Sequence, residues 1–179
     1  DTDGRVTPDL LRIALGDDPS DVALVSVMLA NNEVGTVNDI AELTAVTRPH
    51  GIRFHTDAVQ APAWLDVAFA DLGVCAMTVS GHKVGGPHGV GALVISRDCE
   101  VTPLVHGGGQ ERDVRSGTLD TPAIAAFAAA LNELGAQRSS QVARIRALRD
   151  DLVAQVRAAV PTAILNGDPV GRLANNAHF

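Results

Sequence analysis

One lysine stands alone among the basic residues of this chain. Lys83 is the only lysine, and arginine supplies every other fixed positive charge. A lysine in a dry site can lose its proton and condense with an aldehyde, whereas arginine stays protonated, so Lys83 is a candidate for Schiff-base chemistry. Taken alone, it could equally be a surface residue. The apolar run at residues 74–79 predicts a buried strand that delivers residues 80–83 at its C-terminal end, and this setting favours the chemical interpretation.

Two earlier apolar runs, at residues 22–30 and 52–56, also predict strands that end in polar side chains. The polar residues at these ends are Asn31, Asn32, Asp57 and Gln60. An amphipathic helix is predicted between the two strands, over residues 39–50. This β-α-β order is typical of a doubly wound sheet, whose ligands bind beyond the C-terminal ends of the strands. We therefore predict one pocket that combines an amide, a carboxylate and the Lys83 amine.

The remaining pattern predicts helices before and after these strands. A short helix should follow Thr7 and stop at Gly16, because Pro8 suits the first helical position and glycine commonly ends a helix. Further predicted elements are a strand at residues 90–95, a helix from Thr121 that Gly135 closes, a longer helix ending at Pro161, and a strand at residues 162–165. The longer helix should face the core through Ile145, Leu148, Leu152, Val156 and Val160 and face solvent through its arginines.

Composition excludes several classes of function. A formal net charge of -7 and 3% aromatic residues argue against a nucleic-acid surface, which would combine basic and stacking side chains. No apolar run is long enough to span a bilayer and no signal peptide opens the chain, so we expect a cytoplasmic protein without a membrane segment. Cys75 and Cys99 are expected to form neither a disulfide framework nor a metal site.

The polar residues at the strand ends can supply each group that pyridoxal phosphate requires. The cofactor needs a lysine for its aldehyde, a carboxylate at its ring nitrogen, a donor near its phenolic oxygen and hydroxyls or amides around its phosphate. The candidates are Lys83 for the aldehyde, Asp57 for the ring nitrogen, Asn32 and Gln60 for the phenolic oxygen, and Ser80 and His82 for the phosphate. Asp57 could instead cap a helix, and His82 could be a structural histidine.

Two glycine-rich stretches are similar to motifs of other enzymes, but each lacks a residue or motif that the other chemistry requires. Residues 85–91 lack the Gly-Lys followed by Ser or Thr that a nucleotide-binding phosphate loop requires. Residues 106–109 are similar to the oxyanion loop of lipases, but no Gly-x-Ser-x-Gly nucleophile elbow accompanies them. Neither a nucleotide hydrolase nor an esterase is favoured.

Five motifs together resemble the cysteine desulfurases, within the class V aminotransferase group of fold-type I pyridoxal-phosphate enzymes. The motifs are NNEVG at residues 31–35, HTDAVQ at 55–60, SGHK at 80–83, GPHGVG at 86–91 and HGGGQERDVRSGT at 106–118. The resemblance implies an α/β fold: residues 1–137 would be part of the large cofactor-binding domain, with a mainly parallel sheet and flanking helices. Residues 138–179 would be a long linking helix and the start of a smaller α+β domain.

The resemblance also implies a role for each matching position. Lys83 would bind pyridoxal 5'-phosphate covalently and act with His82 in catalysis. Asn32, Asp57, Gln60, Ser80 and His82 would hold the cofactor, and no metal would be needed. Thr118 would reach the phosphate in the partner subunit of a homodimer. The reaction would convert L-cysteine to L-alanine and pass the sulfur, as a persulfide, to an acceptor protein for iron-sulfur clusters or thiolated products.

The family's sulfur-accepting cysteine lies in a motif that neither Cys75 nor Cys99 matches, and its substrate-binding arginine lies further along the chain than residue 179. We therefore expect this chain to be an internal fragment that is inactive as a desulfurase by itself. Two alternatives stay open. A selenocysteine lyase or another class V lyase would share every motif present, and a non-catalytic scaffold fragment would retain the fold without the activity.

Overall fold

The computed structural model describes all 179 residues, and it contains one four-stranded sheet. The strands are β1 (Leu24–Ser26), β2 (Arg53–Asp57), β3 (Ala76–Ser80) and β4 (Gly91–Ile95). Their spatial order follows the sequence; β1, β2 and β3 are parallel, and β4 pairs with β3 in antiparallel orientation. The predicted α/β class with a mainly parallel sheet is confirmed.

The helices are α1 (Pro8–Leu15), α2 (Ile40–Thr47), α3 (Phe69–Leu72) and α4 (Thr121–Ala159). Three short 3-10 turns are added at Arg48–His50, Gly81–Lys83 and Glu111–Asp113. Local capping explains where α1 and α2 begin: Thr7 Oγ1 accepts the Leu10 amide at 3.2 Å, and Asp39 Oδ1 accepts the Glu42 amide at 3.0 Å. Both helices are confirmed, although only α1 was predicted from its cap and α2 was predicted from the spacing of its apolar residues.

The main apolar core is formed by α1, α2, the sheet and the chain that follows β2. The predicted apolar face of α2 is buried, since Ile40, Leu43 and Val46 are 1%, 0% and 8% exposed. These side chains belong to the same cluster as Phe54 from β2 and Met77 from β3. Burial of each such side chain stabilises the fold by about 1.5–3 kcal/mol, so α2 holds the parallel strands in register.

The first apolar run forms a shorter strand than predicted but stays beside β2 along its whole length. After Ser26, the amide of Val27 donates to the His55 carbonyl at 3.2 Å, and the amide of Leu29 donates to the Asp57 carbonyl at 2.8 Å. The run therefore ends next to the end of β2.

The predicted break at Gly135 is wrong, because α4 runs through this glycine without interruption. The whole helix has 39 residues and is roughly 58 Å long. Glycine costs a helix only about 1 kcal/mol relative to alanine, which a long helix with good neighbours tolerates. The helix begins at Thr121, as predicted, and its N-cap is Asp120, whose Oδ1 accepts the Ala123 amide at 3.1 Å. The domain boundary after residue 137 would fall inside this helix and stays a prediction.

The apolar face and the arginine-rich face of α4 differ from the prediction in their exposure and contacts. Leu148, Leu152 and Val160 were expected in the core but are 57%, 51% and 50% exposed. Two of the arginines expected in solvent instead donate to backbone carbonyls: Arg138 Nε to Pro62 at 3.1 Å, and Arg149 Nη1 to Leu173 at 3.0 Å. The arginine-rich side thus attaches α4 to the rest of the chain. None of the helices combines the length and apolarity needed to cross a bilayer.

No strand forms at residues 162–165, in contrast to the prediction. The chain that follows, residues 166–176, packs instead against the turn after β1, and we call it the C-terminal segment. Its carboxylate at Asp168 pairs with Arg5. The amides of Gly171 and Val170, with a smaller contribution from Arg5, hold the pKa of Asp168 below its ordinary value.

The expectation that the two cysteines are unpaired is also wrong, because Cys75 and Cys99 form a disulfide. Cys75 precedes β3, and Cys99 follows β4. The Cys99 amide donates to the Ser96 carbonyl at 3.1 Å and so closes a turn. Antiparallel pairing of β3 and β4 brings these two ends together, with the Cα atoms 5.6 Å apart. Disulfides are uncommon in reducing compartments, so the predicted cytoplasmic location would require this pair to be reduced in the cell.

Reduction of this disulfide should lower the free energy of unfolding by about 3.5 kcal/mol, the value expected when a closed loop of this length is released in the unfolded chain. Denaturant unfolding with and without a reductant measures the change. The variant Cys99→Ser should show the same free energy of unfolding in both conditions. Two reactive thiols in protein that has never been reduced would show that the bond does not form.

Candidate active site

The ends of three neighbouring strands meet at one edge of the sheet. In the parallel register of β2 and β3, Asp57 is opposite Thr78, and the Ala58 amide donates to the Thr78 carbonyl at 3.0 Å. On the other side of β2, the Asp57 carbonyl accepts the Leu29 amide. The chain after β1, the end of β2 and the end of β3 therefore lie side by side. The polar residues that follow each of them share this edge, as the sequence predicts.

Asp57 is held at the edge by a tight turn. Its Oδ1 accepts the Val59 amide at 2.8 Å, and the next residue, Ala58, is fully buried together with Ala61. Only small side chains let the chain turn this closely against the core. No arginine or lysine pairs with the Asp57 carboxylate, which is half-buried. A negative charge that is fixed in place but has no cationic partner is suited to a cation supplied by a ligand.

Lys83 lies at the end of a turn that glycines make possible. A Cβ atom on Gly81 would lie 2.8 Å from Val90 Cγ1 and 2.9 Å from the Pro87 carbonyl oxygen, so no larger residue fits there. Val84, which follows the lysine, is 4% exposed and anchors the turn. The Lys83 side chain is exposed and makes no hydrogen bond or ion pair within the chain. Its amine therefore has no partner within the chain, and it lies in solvent instead of the dry site that the sequence analysis expected.

Ser80 and His82 form a polar pair beside this lysine. The Ser80 hydroxyl lies 2.8 Å from His82 Nδ1, and the His82 ring stacks on His88 with 5.2 Å between ring centroids. His88 belongs to the glycine-rich motif at residues 86–91, and the sequence analysis assigned it no role. Stacking orients the His82 ring and leaves a hydroxyl and an imidazole next to the lysine, a combination that can bind phosphate.

Asn32 and Gln60 are placed at the same edge in different ways. Asn32 is exposed, and its side-chain amide donates to Glu33 Oε1 at 2.7 Å, a neighbour that the sequence analysis did not consider. Gln60 is half-buried in the turn after β2, and its side chain makes no hydrogen bond. Both amides remain available as donors to a ligand oxygen.

Thr118 is not joined to the other candidates by any hydrogen bond. It is exposed near the end of the loop between β4 and α4. Three non-glycine residues in this loop, Glu111, Arg112 and Asp113, have φ of 47°, 57° and 64°, which is unusual for L-residues. The loop closes on itself, because Gln110 Oε1 accepts the Gly117 amide at 2.8 Å. The predicted role of Thr118 across a subunit boundary stays a prediction.

At the strand edge, Asn32 and Lys83 are exposed, and Asp57 and Gln60 are half-buried. Two cavities of about 440 and 650 Å³ are lined by other residues, one beside Arg5 and Asn38 and one beside the Cys75–Cys99 disulfide. The donor set at the edge nevertheless fits pyridoxal phosphate, with an unpaired amine, an unpaired carboxylate, two amides and a hydroxyl-imidazole pair.

Comparison with known proteins identifies relatives along the whole chain. The model of the family described as aminotransferase class-V matches residues 1–175. An IscS-like cysteine desulfurase from Mycobacterium tuberculosis is 50% identical over 179 residues, covering 99% of this chain and 45% of the relative. The cysteine desulfurase IscS of Dictyoglomus turgidum is 38% identical over 179 residues, covering 100% of this chain and 45% of the relative.

The fold comparison agrees with the sequence comparison. The X-ray structure of a NifS-like protein from Rickettsia africae superposes with a TM-score of 0.92 at 35% identity, covering 99% of this chain and 49% of that protein. The chain thus spans about half the length of the relatives that it matches.

Proposed function

The chain belongs to the aminotransferase class-V family, and on that premise we propose that the protein containing it is a pyridoxal-phosphate-dependent cysteine desulfurase. The observation that carries the proposal is the pairing of two strand ends: β2 delivers the unpaired carboxylate of Asp57, and the adjacent β3 leads into the unpaired amine of Lys83. Relatives named cysteine desulfurase, at 50% and 38% identity, support the choice of reaction.

Five residues would hold the cofactor. Asp57 would accept the ring N–H, Asn32 and Gln60 would donate to the phenolic oxygen, and Ser80 and His82 would bind the phosphate. Bound pyridoxal phosphate supplies an aldehyde that condenses with amines and a ring that withdraws electrons from the substrate.

Each of the two central side chains would perform a separate task in the reaction. Lys83 Nζ, once substrate occupies the aldehyde, would remove the proton from the substrate Cα, because a lysine amine freed from the cofactor is a base. The Asp57 carboxylate would keep the ring nitrogen protonated. His82 would fix the phosphate through its contact with Ser80 and keep the Lys83 turn oriented.

The proposed substrate is L-cysteine and the proposed product is L-alanine. The acceptor thiolate would bond to the substrate sulfur, and the carbon-sulfur bond would break with its electron pair left on Cβ, which takes up one proton. The carbon gains the two electrons that the sulfur loses on forming the persulfide, so the step needs no external oxidant or reductant. We further propose a cytoplasmic homodimer in which Thr118 contacts the phosphate at the other subunit's site, and a protein that receives the sulfur.

The test uses full-length protein loaded with pyridoxal phosphate and given L-cysteine. We expect alanine to form in a 1:1 ratio with sulfane sulfur, measured by amino-acid analysis and cyanolysis. Alanine from L-selenocysteine but not from L-cysteine would assign the protein to the selenocysteine lyases instead. Cofactor-loaded protein that forms alanine from neither substrate would contradict the proposal.

A further inference from the structure

We propose that Arg172 and Asn176 are positioning residues that hold the turn at residues 31–35 in place and thereby set the position of Asn32. The inference rests on the proposed function, in which Asn32 donates to the cofactor. It assigns a part in cofactor binding to the C-terminal segment, which follows α4 and contains none of the candidate site residues.

The C-terminal segment pairs with the chain immediately after this turn. The amide of Val37 donates to the Gly171 carbonyl at 2.8 Å, and the amide of Leu173 donates to the Gly35 carbonyl at 2.9 Å. These bonds flank an isolated antiparallel bridge between Thr36 and Arg172. The bridge aligns the side chains of the segment with the turn.

Asn176 uses both ends of its side-chain amide in this arrangement. Its Nδ2 donates to the carbonyl of Glu33 at 2.8 Å and to that of Asn32 at 3.4 Å, and its Oδ1 accepts from Arg172 Nη2 at 2.8 Å. The packing is tight, since a Cβ atom on Gly35 would lie 2.6 Å from Asn176 Cγ. A single side chain therefore fixes two consecutive carbonyls of the turn, one of them belonging to Asn32.

Arg172 supports Asn176 from a buried position. The residue is 5% exposed, and its guanidinium donates to the carbonyls of Val34 at 3.0 Å and Asn166 at 3.2 Å. No carboxylate forms an ion pair with it, and burial lowers its pKa. A buried charge that depends on neutral acceptors keeps them in place, because each lost acceptor would leave a charged donor unsatisfied.

The turn also has hydrogen bonds of its own, and these define its shape. Asn31 Oδ1 accepts the amides of Glu33 and Val34 at 2.8 and 2.9 Å, and the Gly35 amide donates to the Asn31 carbonyl at 3.1 Å. The base of the turn is joined to the chain beside β2 by the Ala30–Val37 bridge and by the Asn38 amide, which donates to the Leu29 carbonyl at 2.8 Å. Arg172 and Asn176 add a second attachment, from the C-terminal segment to the carbonyls of residues 32–34, which is why we expect their effect on Asn32 to be one of position.

The decisive variant is Asn176→Asp in full-length protein, because it keeps an oxygen for Arg172 and removes both N–H donors to the turn. We expect the dissociation constant for pyridoxal phosphate, titrated into apo-protein and followed by absorbance, to rise about tenfold, which corresponds to about 1.4 kcal/mol. The matched control is Asn175→Asp, which makes the same chemical change at the exposed neighbour and should leave the dissociation constant within about twofold.

A double-mutant cycle with Asn32→Ala separates positioning from general destabilisation. If Asn176 acts through Asn32, adding Asn176→Asp to Asn32→Ala should weaken cofactor binding no further. Full additivity, or an unchanged dissociation constant in Asn176→Asp, would overturn the inference while leaving the proposed function intact. Wild-type protein that binds no cofactor would overturn both. Should Asn176→Asp not fold, Asn176→Ala takes its place in the cycle with the same expected outcomes.

Discussion

Replacing Lys83 with alanine is expected to abolish covalent attachment of pyridoxal phosphate to full-length protein and to lower alanine formation at least about 10³-fold. The reason is that one amine both carries the cofactor and moves the proton. No other lysine is present in residues 1–179 to replace it. Borohydride reduction followed by peptide mass mapping measures the attachment, and the label should be found on residue 83 of the wild-type chain and nowhere in the variant.

Lys83→Arg is the matched control for charge. It keeps a positive side chain at the same turn but cannot condense with an aldehyde, because arginine does not lose its proton. We expect it to lose the label as completely as Lys83→Ala while keeping weaker, non-covalent cofactor binding. Cofactor that borohydride fixes to a different residue, or substantial alanine formation by either variant, would exclude Lys83 as the reacting amine.

Asp57→Asn should leave cofactor bound but lower turnover by about 10²–10³-fold, the range expected when one fixed electrostatic contact is removed from a reacting centre. The substitution is nearly isosteric, and an asparagine Oδ1 can still accept the Val59 amide that holds the turn. What is lost is the negative charge that keeps the ring nitrogen protonated. Steady-state alanine formation gives the turnover, and absorbance gives the bound cofactor.

Asp71→Asn is the control for Asp57→Asn. Asp71 is an exposed acid in α3, and its side chain makes no hydrogen bond or ion pair, so its neutralisation should leave turnover unchanged. Thermal unfolding of both variants checks that the fold is retained. Wild-type turnover in folded Asp57→Asn would remove the carboxylate from the mechanism and reopen its alternative role as a local turn residue.

The helices α1 and α2 were predicted correctly from local signals. Thr7 and Asp39 cap α1 and α2 through bonds to amides three residues away, and the glycines at 16 and 51 end these helical stretches with φ of 71° and 67°. Hydrophobic spacing likewise identified the buried face of α2. Caps and hydrophobic spacing involve residues only a few positions apart, so they can be recognised in the sequence without knowledge of tertiary contacts.

Predictions that required knowledge of distant neighbours were wrong or incomplete. The spacing of Leu148 and Leu152 shows that α4 has an apolar face, but whether another element covers it is a tertiary matter, and both are about half exposed. Gly135 carried a stop signal that the rest of the helix overrides. The pairing of Cys75 with Cys99 follows from the antiparallel contact of two strands, which spacing alone does not reveal.

The candidate site divides in the same way. The sequence alone predicted the strand ends, which the structure confirms, and selected Lys83 and Asp57 as candidates, because apolar runs and side-chain chemistry are properties of short stretches. The roles of the two residues stay predictions. Only the tertiary structure decided that Asn32 and Lys83 are exposed at the edge and that Asn176, 144 residues beyond Asn32, bonds to the Asn32 carbonyl. Contacts over such separations depend on how the whole chain packs, and no local pattern encodes them.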